Sequence, residues 1–176
     1  YKRQVSILVK AKVNLGNLLD QVMPNIQTVM QDNPSNHKLT DFVKRYYHYG
    51  HILAMGKSKF TSDYCKWAKK QGYYLCERSA EKIFALVQNS IPVLPNSSVT
   101  KIVVVEAIRM LHEIEASRDT ILEQMQDFAK TLPEYSVVRE MPCIGDTLAP
   151  RVIAEIGDVR RFKNKHSLIA YAGIDA

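Results

Sequence analysis

Two stripes of apolar residues, repeating at alternating intervals of three and four, constrain the fold of this chain most. A period near 3.5 residues is typical of helices that pack along a seam. Seven of eight positions are apolar in the first stripe and eight of nine in the second, with Lys12 and Arg118 as the basic exceptions. A charge at such a seam commonly fixes the register or the choice of partner. The alternative is a long side chain that extends from the edge of the seam into solvent. The stripes are Val5, Leu8, Lys12, Leu15, Leu19, Val22, Ile26 and Val29, and Val104, Ala107, Leu111, Ile114, Arg118, Ile121, Met125, Phe128 and Leu132.

Prolines and helix signals divide the chain. Pro24 predicts that the first helix ends just after Met23, and Pro133 predicts the end of the second. Helix-like runs cover 39–55, 62–71 and 79–88, and no segment has the period of a strand. We therefore predict an all-α fold with long coiled-coil helices. The predicted segments are 1–35, a coiled-coil helix; 36–96, a basic, aromatic-rich helical subdomain and linker; 97–133, a second coiled-coil helix; and 134–176, a helix-hairpin-helix and the start of a further domain.

The charge is regional. The chain carries a formal net charge of +6, but residues 1–73 hold 12 basic and 4 acidic side chains. Nine of the 15 aromatic residues lie in 38–74, among lysines that include Lys57, Lys59, Lys66 and Lys69. Lysines can neutralise phosphates while rings stack on bases. The equally open alternative is that the rings form a core and the lysines a solvated face.

A second candidate site follows Pro133. The pattern there is a short helix over 134–140, a turn Met141-Pro-Cys-Ile-Gly-Asp146 and a helix over 147–156, which is typical of a helix-hairpin-helix. Free amides at the start of the second helix would face a DNA phosphate, and the alternative is a helical corner without a ligand. The predicted contacts are Gly145, Thr147, Arg151, Arg160, Arg161, Lys163 and Lys165.

The same C-terminal segment resembles a known family. Met141-Pro-Cys-Ile-Gly145, Val152-Ile-Ala-Glu-Ile-Gly-Asp158, Arg161-Phe162 and Leu168-Ile-Ala-Tyr-Ala-Gly-Ile174 follow in this order. This order is similar to the start of the C-terminal domain of the DEDD-type insertion-sequence transposases, the family of insertion sequence one-ten, which includes bridge-RNA-guided recombinases. Cys143 stands where that family usually has glycine.

The resemblance implies a protein longer than this chain. Family members have an N-terminal RuvC-like domain with four acidic metal ligands, a central coiled coil, and a catalytic serine beyond the Ala-Tyr-Ala-Gly turn. We therefore expect a piece of a transposase without a catalytic residue or cofactor of its own, with magnesium bound in the preceding domain. The expected partners are DNA and a second copy of the chain, which would pair through residues 100–132 or through the first helix. An antiparallel pair of the two long helices within one chain fits the stripes equally well. A guide RNA is left open as a further ligand.

Other chemistry is weakly represented. His48, His51, Cys65 and Cys76 could form a His2Cys2 metal site, but the cysteines lack the short pairing of structural zinc, so we assign no metal ligand. Three scattered cysteines and the absence of a long apolar run predict a cytoplasmic protein without a membrane segment. The alternative functions are a non-enzymatic helix-hairpin-helix module and a coiled-coil adaptor.

Overall fold

The computed structural model describes residues 1–33, 36–74 and 76–173. Over these residues the chain forms α-helices and two short 3-10 turns, Ile26–Thr28 and Val159–Arg161, with no strand, which confirms the all-α prediction. In the same residues no helix is both long enough and apolar enough to cross a membrane. The helices are α1 Lys2–Val22, α2 Lys38–Tyr46, α3 Tyr49–Met55, α4 Lys57–Lys70, α5 Cys76–Asn89, α6 Ser98–Lys130, α7 Glu134–Arg139, α8 Ala149–Ile156 and α9 Lys165–Tyr171.

The chain divides into two compact units. One unit is Lys2–Ala116, and the other is Ser117–Ala176 together with Tyr1. The long helix α6 supplies residues to both units. The four predicted segments remain a sequence-based prediction, and the last residues of the family-like motif, Ile174, Asp175 and Ala176, lie outside the described residues.

In the unit Lys2–Ala116, the two apolar stripes share one core. Leu8, Leu15 and Leu19 of α1 are buried in the same cluster as Val104 and Leu111 of α6. The ammonium of Lys12 lies 3.1 Å from a carboxylate oxygen of Glu115. The carbonyl of Gln21 accepts hydrogen bonds from the amides of Val93 and Leu94, just before α6 begins. Because these pairings run in opposite senses along the chain, α1 and α6 are antiparallel partners within one molecule.

A second part of this core is rich in aromatic rings. Phe42 and Tyr46 of α2 and Phe60 and Tyr64 of α4 are at most 1% exposed. Ring centroids lie 4.8 Å apart for Phe42 and Tyr46 and 5.3 Å apart for Tyr46 and Phe60. Tilted and edge-to-face pairs at such distances are favourable. These rings are therefore core residues and are not available to stack on bases, although Tyr74 is 87% exposed.

The helix-like run over 39–55 is interrupted, contrary to the sequence expectation. Tyr47 adopts a left-handed backbone conformation with φ of 41°, which ends α2. His48 then starts α3, because its side chain accepts a hydrogen bond from the amide of Gly50 at 2.8 Å. Gly56, with φ of 76°, turns the chain into α4, so that helix begins at Lys57 and not at Ser62. Left-handed single residues are not visible in a pattern of hydrophobicity.

Candidate nucleic-acid interface

An open groove lies at the start of α4, in the unit Lys2–Ala116. Its volume is about 630 Å³. Three of the four lysines predicted for this region, Lys57, Lys59 and Lys66, line it, whereas Lys69 does not. We call it the α4 groove. Its lining consists of Met55, Gly56, Lys57, Ser58, Lys59, Ser62, Asp63 and Lys66.

The charge of the α4 groove is positive because its carboxylate is already engaged. Asp63 accepts hydrogen bonds from the guanidinium of Arg45 at 2.8 Å and from the hydroxyl of Tyr46 at 2.7 Å. In the described parts of the chain, none of Lys57, Lys59 and Lys66 forms a salt bridge, although the charge of Lys66 also acts on Asp63 and helps to lower its pKa. The first amides of a helix lack intrahelical acceptors and carry partial positive charge, so the start of this 14-residue helix adds to the field.

Asp63 is ionised more readily than an ordinary aspartate, although its partial burial opposes ionisation. Burial alone would raise the pKa of this carboxyl, whereas hydrogen bonds from Tyr46 and Arg45 and the charge of Arg45 lower it below its ordinary value. Burial of Tyr46 and its hydrogen bond to Asp63 raise the pKa of the Tyr46 hydroxyl, so this hydroxyl stays protonated and remains a donor. The network therefore fixes α2 against α4 behind the groove.

Replacing Asp63 should change the dependence of stability on pH. Because the folded pKa is lowered, the carboxylate stabilises the fold above its unfolded pKa, and this contribution is lost as pH falls through the folded pKa. Since this side chain is 33% exposed, we expect Asp63→Asn to lower the free energy of unfolding at pH 7 by only about 1 kcal/mol. Urea unfolding at pH 7 and pH 3 should show the difference shrinking in acid. Exposed Asp20→Asn is the control, and an equal loss at both pH values would contradict the prediction.

The second candidate site is the hairpin between α7 and α8. Arg139 holds its turn: the guanidinium lies 2.7 Å from the carboxylate of Asp146 and donates to the carbonyl of Ile144 at 2.7 Å. Tyr135 also donates to Asp146, at 3.1 Å. Within the described chain, the amides of Gly145, Asp146 and Thr147 have no acceptor. The turn is therefore fixed by side chains, and three successive amides remain open to a ligand.

The left-handed residue of this turn is Cys143 and not Gly145. Gly145 does not have a positive φ, whereas Cys143 has φ of 66°. Cys143 is the position at which the resembling family usually has glycine, and a residue with a Cβ is disfavoured there. Gly145 instead accepts at its carbonyl from the amides of Leu148 and Ala149, both at 3.0 Å, so the helix begins at Ala149 and not at Thr147.

Restoring glycine at position 143 should stabilise the hairpin. The left-handed conformation costs an L-residue about 1–2 kcal/mol, and the greater freedom of glycine in the unfolded chain offsets part of the gain. We expect Cys143→Gly to raise the free energy of unfolding by up to about 1 kcal/mol, measured by urea unfolding. Cys143→Ala, which keeps the Cβ, should give no such gain. Equal effects of the two substitutions would contradict this account.

The remaining predicted basic residues have different environments. The guanidinium of Arg151 lies 4.5 Å from the centre of the ring of Tyr1, which belongs to the same unit. Arg160 pairs with Asp158 at 2.9 Å, and Arg161 lies 4.6 Å from the ring of Tyr171. Lys163 and Lys165 are exposed. The lysines are thus the freest of these cations, and the arginines already have partners.

The His2Cys2 site considered from the sequence does not form. The ring of His48 contacts the carbonyl of Leu94 through Nε2 at 2.9 Å and the amide of Gly50 through Nδ1 at 2.8 Å. Burial and a hydrogen bond to Cys76 raise the pKa of the Cys65 thiol to about 11, which disfavours the thiolate that a metal needs. Among the described residues, the group of possible metal ligands that does converge is His37, His112 and Glu115. Sequence reasoning missed it because His37 lies far from His112 and Glu115 in the chain.

The comparisons with known proteins identify the C-terminal segment. Residues 135–176 match the family model described as transposase IS116/IS110/IS902 family. No curated protein and no solved structure matches the chain. The resemblance predicted from the motifs at 141–174 is thus confirmed for the segment that holds the hairpin.

Proposed function

We propose, from the match of residues 135–176 to the model of the IS116/IS110/IS902 transposase family, that the chain is the nucleic-acid-binding and oligomerisation part of an insertion-sequence transposase. Its ligand is DNA, which it contacts at the phosphate backbone. The strand chemistry and its magnesium belong to other parts of the protein, and no residue of this chain is given a catalytic role. Strand exchange by the purified chain would contradict that assignment.

The α4 groove carries the proposal. Its three lysines are close enough to line one concavity, and among the described residues none of them forms a salt bridge. Contacts from lysines and helix amides to phosphates position a duplex without reading its sequence. The α4 groove therefore supports binding to the phosphate backbone of DNA. We propose that the DNA sequence is selected elsewhere, by a guide RNA as in some members of the family or by a further domain.

The hairpin is proposed as a second backbone contact. Its open amides, from Gly145 to Thr147, are the groups that accept a phosphate, and Lys163 and Lys165 provide charge in the same unit. Arg139, through Asp146 and Ile144, keeps the amides in place. Arg151 would add a contact only after leaving the ring of Tyr1.

Oligomerisation is proposed through the outer face of α6. The inner face of the helix already packs on α1, yet Val99, Ile102, Val103 and Met110 are between 48% and 67% exposed. Val99 and Val103 are four positions apart, Ile102 is three from Val99, and Met110 follows Val103 two helical turns later. Exposed apolar residues along one side of a helix are typical of a helix that pairs with a second helix. We propose that two copies pair here, and sedimentation of the chain at micromolar concentration tests it.

A salt titration separates this function from the adaptor alternative. If lysines neutralise phosphates, the logarithm of the affinity for a duplex falls linearly with the logarithm of salt concentration. Fluorescence anisotropy with a labelled duplex, repeated with a single-stranded RNA of the same length, measures both slopes. An adaptor whose basic face is only solvated would show no binding to either.

A further inference from the structure

Two histidines and a glutamate meet in the unit Lys2–Ala116. Their possible ligand atoms all lie within 4.8 Å of one another. The rings of His37 and His112 have their centroids 4.6 Å apart. His112 and Glu115 are three residues apart on α6, so they share one face of that helix, and His37 directly precedes α2. Residues distant in sequence thus form one cluster.

The cluster is held by the start of α2. Asp32 accepts hydrogen bonds from the amides of Leu39 and Thr40, at 2.6 and 3.2 Å, which fixes the first turn of that helix. The hydroxyl of Thr40, a residue only 1% exposed, lies 3.2 Å from Nε2 of His112 and also donates to the carbonyl of His37 at 3.2 Å. Thr40 therefore orients one ring and anchors the backbone of the other, as residues around metal ligands commonly do.

We propose that His37, His112 and Glu115 bind a transition-metal dication, with Zn²⁺ as the best fit, independently of the nucleic-acid function. Two imidazoles and one carboxylate are a donor set that zinc prefers, and water completes four-coordination. Ligand atoms around one zinc at bonds of about 2.0–2.2 Å are about 3.3 Å apart, so the cluster must contract by roughly 1.5 Å. The exposed side chain of His37 can supply that movement.

The contact between Lys12 and Glu115 provides a specific test of the proposal. The ammonium of Lys12 lies 3.1 Å from the carboxylate of Glu115, so an arriving dication must displace it. A positive charge beside a metal site weakens the binding of a cation. If the cluster binds a metal, Lys12 therefore lowers its affinity for that metal. Lys12→Gln should accordingly tighten metal binding.

The test titrates the 176-residue chain with Co²⁺, followed by displacement with Zn²⁺. We expect one ion per chain and visible absorption of tetrahedral cobalt without thiolate charge-transfer bands. His37→Ala, which changes an exposed residue, and Glu115→Gln should each weaken binding at least 10-fold. The matched control, His166→Ala, removes an exposed histidine outside the cluster and should change nothing. Lys12→Gln should bind several-fold more tightly.

Several results would overturn the proposal. Thiolate bands would place the ion on cysteines, and equal weakening by His37→Ala and His166→Ala would indicate unspecific histidine binding. Loss of binding in Lys12→Gln would also count against the site. Circular dichroism of each variant separates loss of ligands from loss of fold, and a folded Glu115→Gln variant that binds like the parent chain would exclude the carboxylate as a ligand.

Discussion

A chain in which Lys57, Lys59 and Lys66 are all replaced by glutamine is expected to bind a DNA duplex about 100- to 500-fold more weakly than the parent at 0.1 M salt, because three phosphate contacts are lost. Each contact contributes about 0.9 to the slope of log affinity against log salt, so the slope should become shallower by about 2.7. Fluorescence anisotropy across a salt series measures both quantities. The prediction depends on the lysines acting together at the α4 groove.

The control for this experiment has the same net charge. Lys44, Lys70 and Lys82 are exposed, lie outside the groove lining, and can be replaced by glutamine in the same way. If attraction to DNA came from overall charge alone, the two triple variants would lose affinity equally. Equal losses would therefore reject the groove, and a loss confined to the groove variant would support it.

Phe42→Ala is expected to cost the most stability of any substitution considered. The ring is fully buried, with centroids of Tyr46, Tyr64 and Trp67 at 4.8, 5.9 and 6.2 Å. Truncating a buried phenylalanine removes its burial free energy and leaves a cavity, which costs about 3–5 kcal/mol. For a domain of ordinary stability this is a large share of the total, which is about 5–15 kcal/mol.

Trp67 provides the measurement. It is the single tryptophan of the chain and lies in the same aromatic cluster, so its fluorescence reports unfolding of the unit Lys2–Ala116. Urea titrations should show a much lower midpoint for Phe42→Ala with a similar slope. Tyr74→Ala removes an aromatic ring that is 87% exposed and should change the midpoint little. A similar shift for both would contradict the assignment of the rings to the core.

Much of the fold could be predicted because its signals are local. The apolar stripes predicted two long helices, and α1 ends at Val22, two residues before Pro24, the proline that predicted its end. The turn at 141–146 predicted the position of the hairpin, and the order of motifs predicted the family of the C-terminal segment. Periodicity, capping and turn chemistry each involve residues within a few positions of one another.

The candidate sites were less predictable because they depend on distant contacts. The lysines were chosen by composition, but only the conformation of Gly56 and the start of α4 decided which of them line a groove. The compensation of Asp63 by Arg45 spans 18 positions, and nothing in the local sequence of Asp63 indicates it. The left-handed backbone at Cys143 could not be predicted either, because the sequence showed only that a cysteine stands where the resembling family usually has glycine.

The sequence alone determined that this chain is helical, where its charge lies and which family its C-terminal segment resembles, since each of these is encoded in short patterns. Only the tertiary structure decided that the first stripe shares a core with the part of the second stripe from Val104 to Ile114, that Phe42, Tyr46, Phe60 and Tyr64 form a core, and that His37 lies close to His112 and Glu115. Those contacts join residues dozens of positions apart. They form because folding buries apolar surface area. The same sequence pattern is compatible with several ways of burying that area, and the pattern alone does not select one of them.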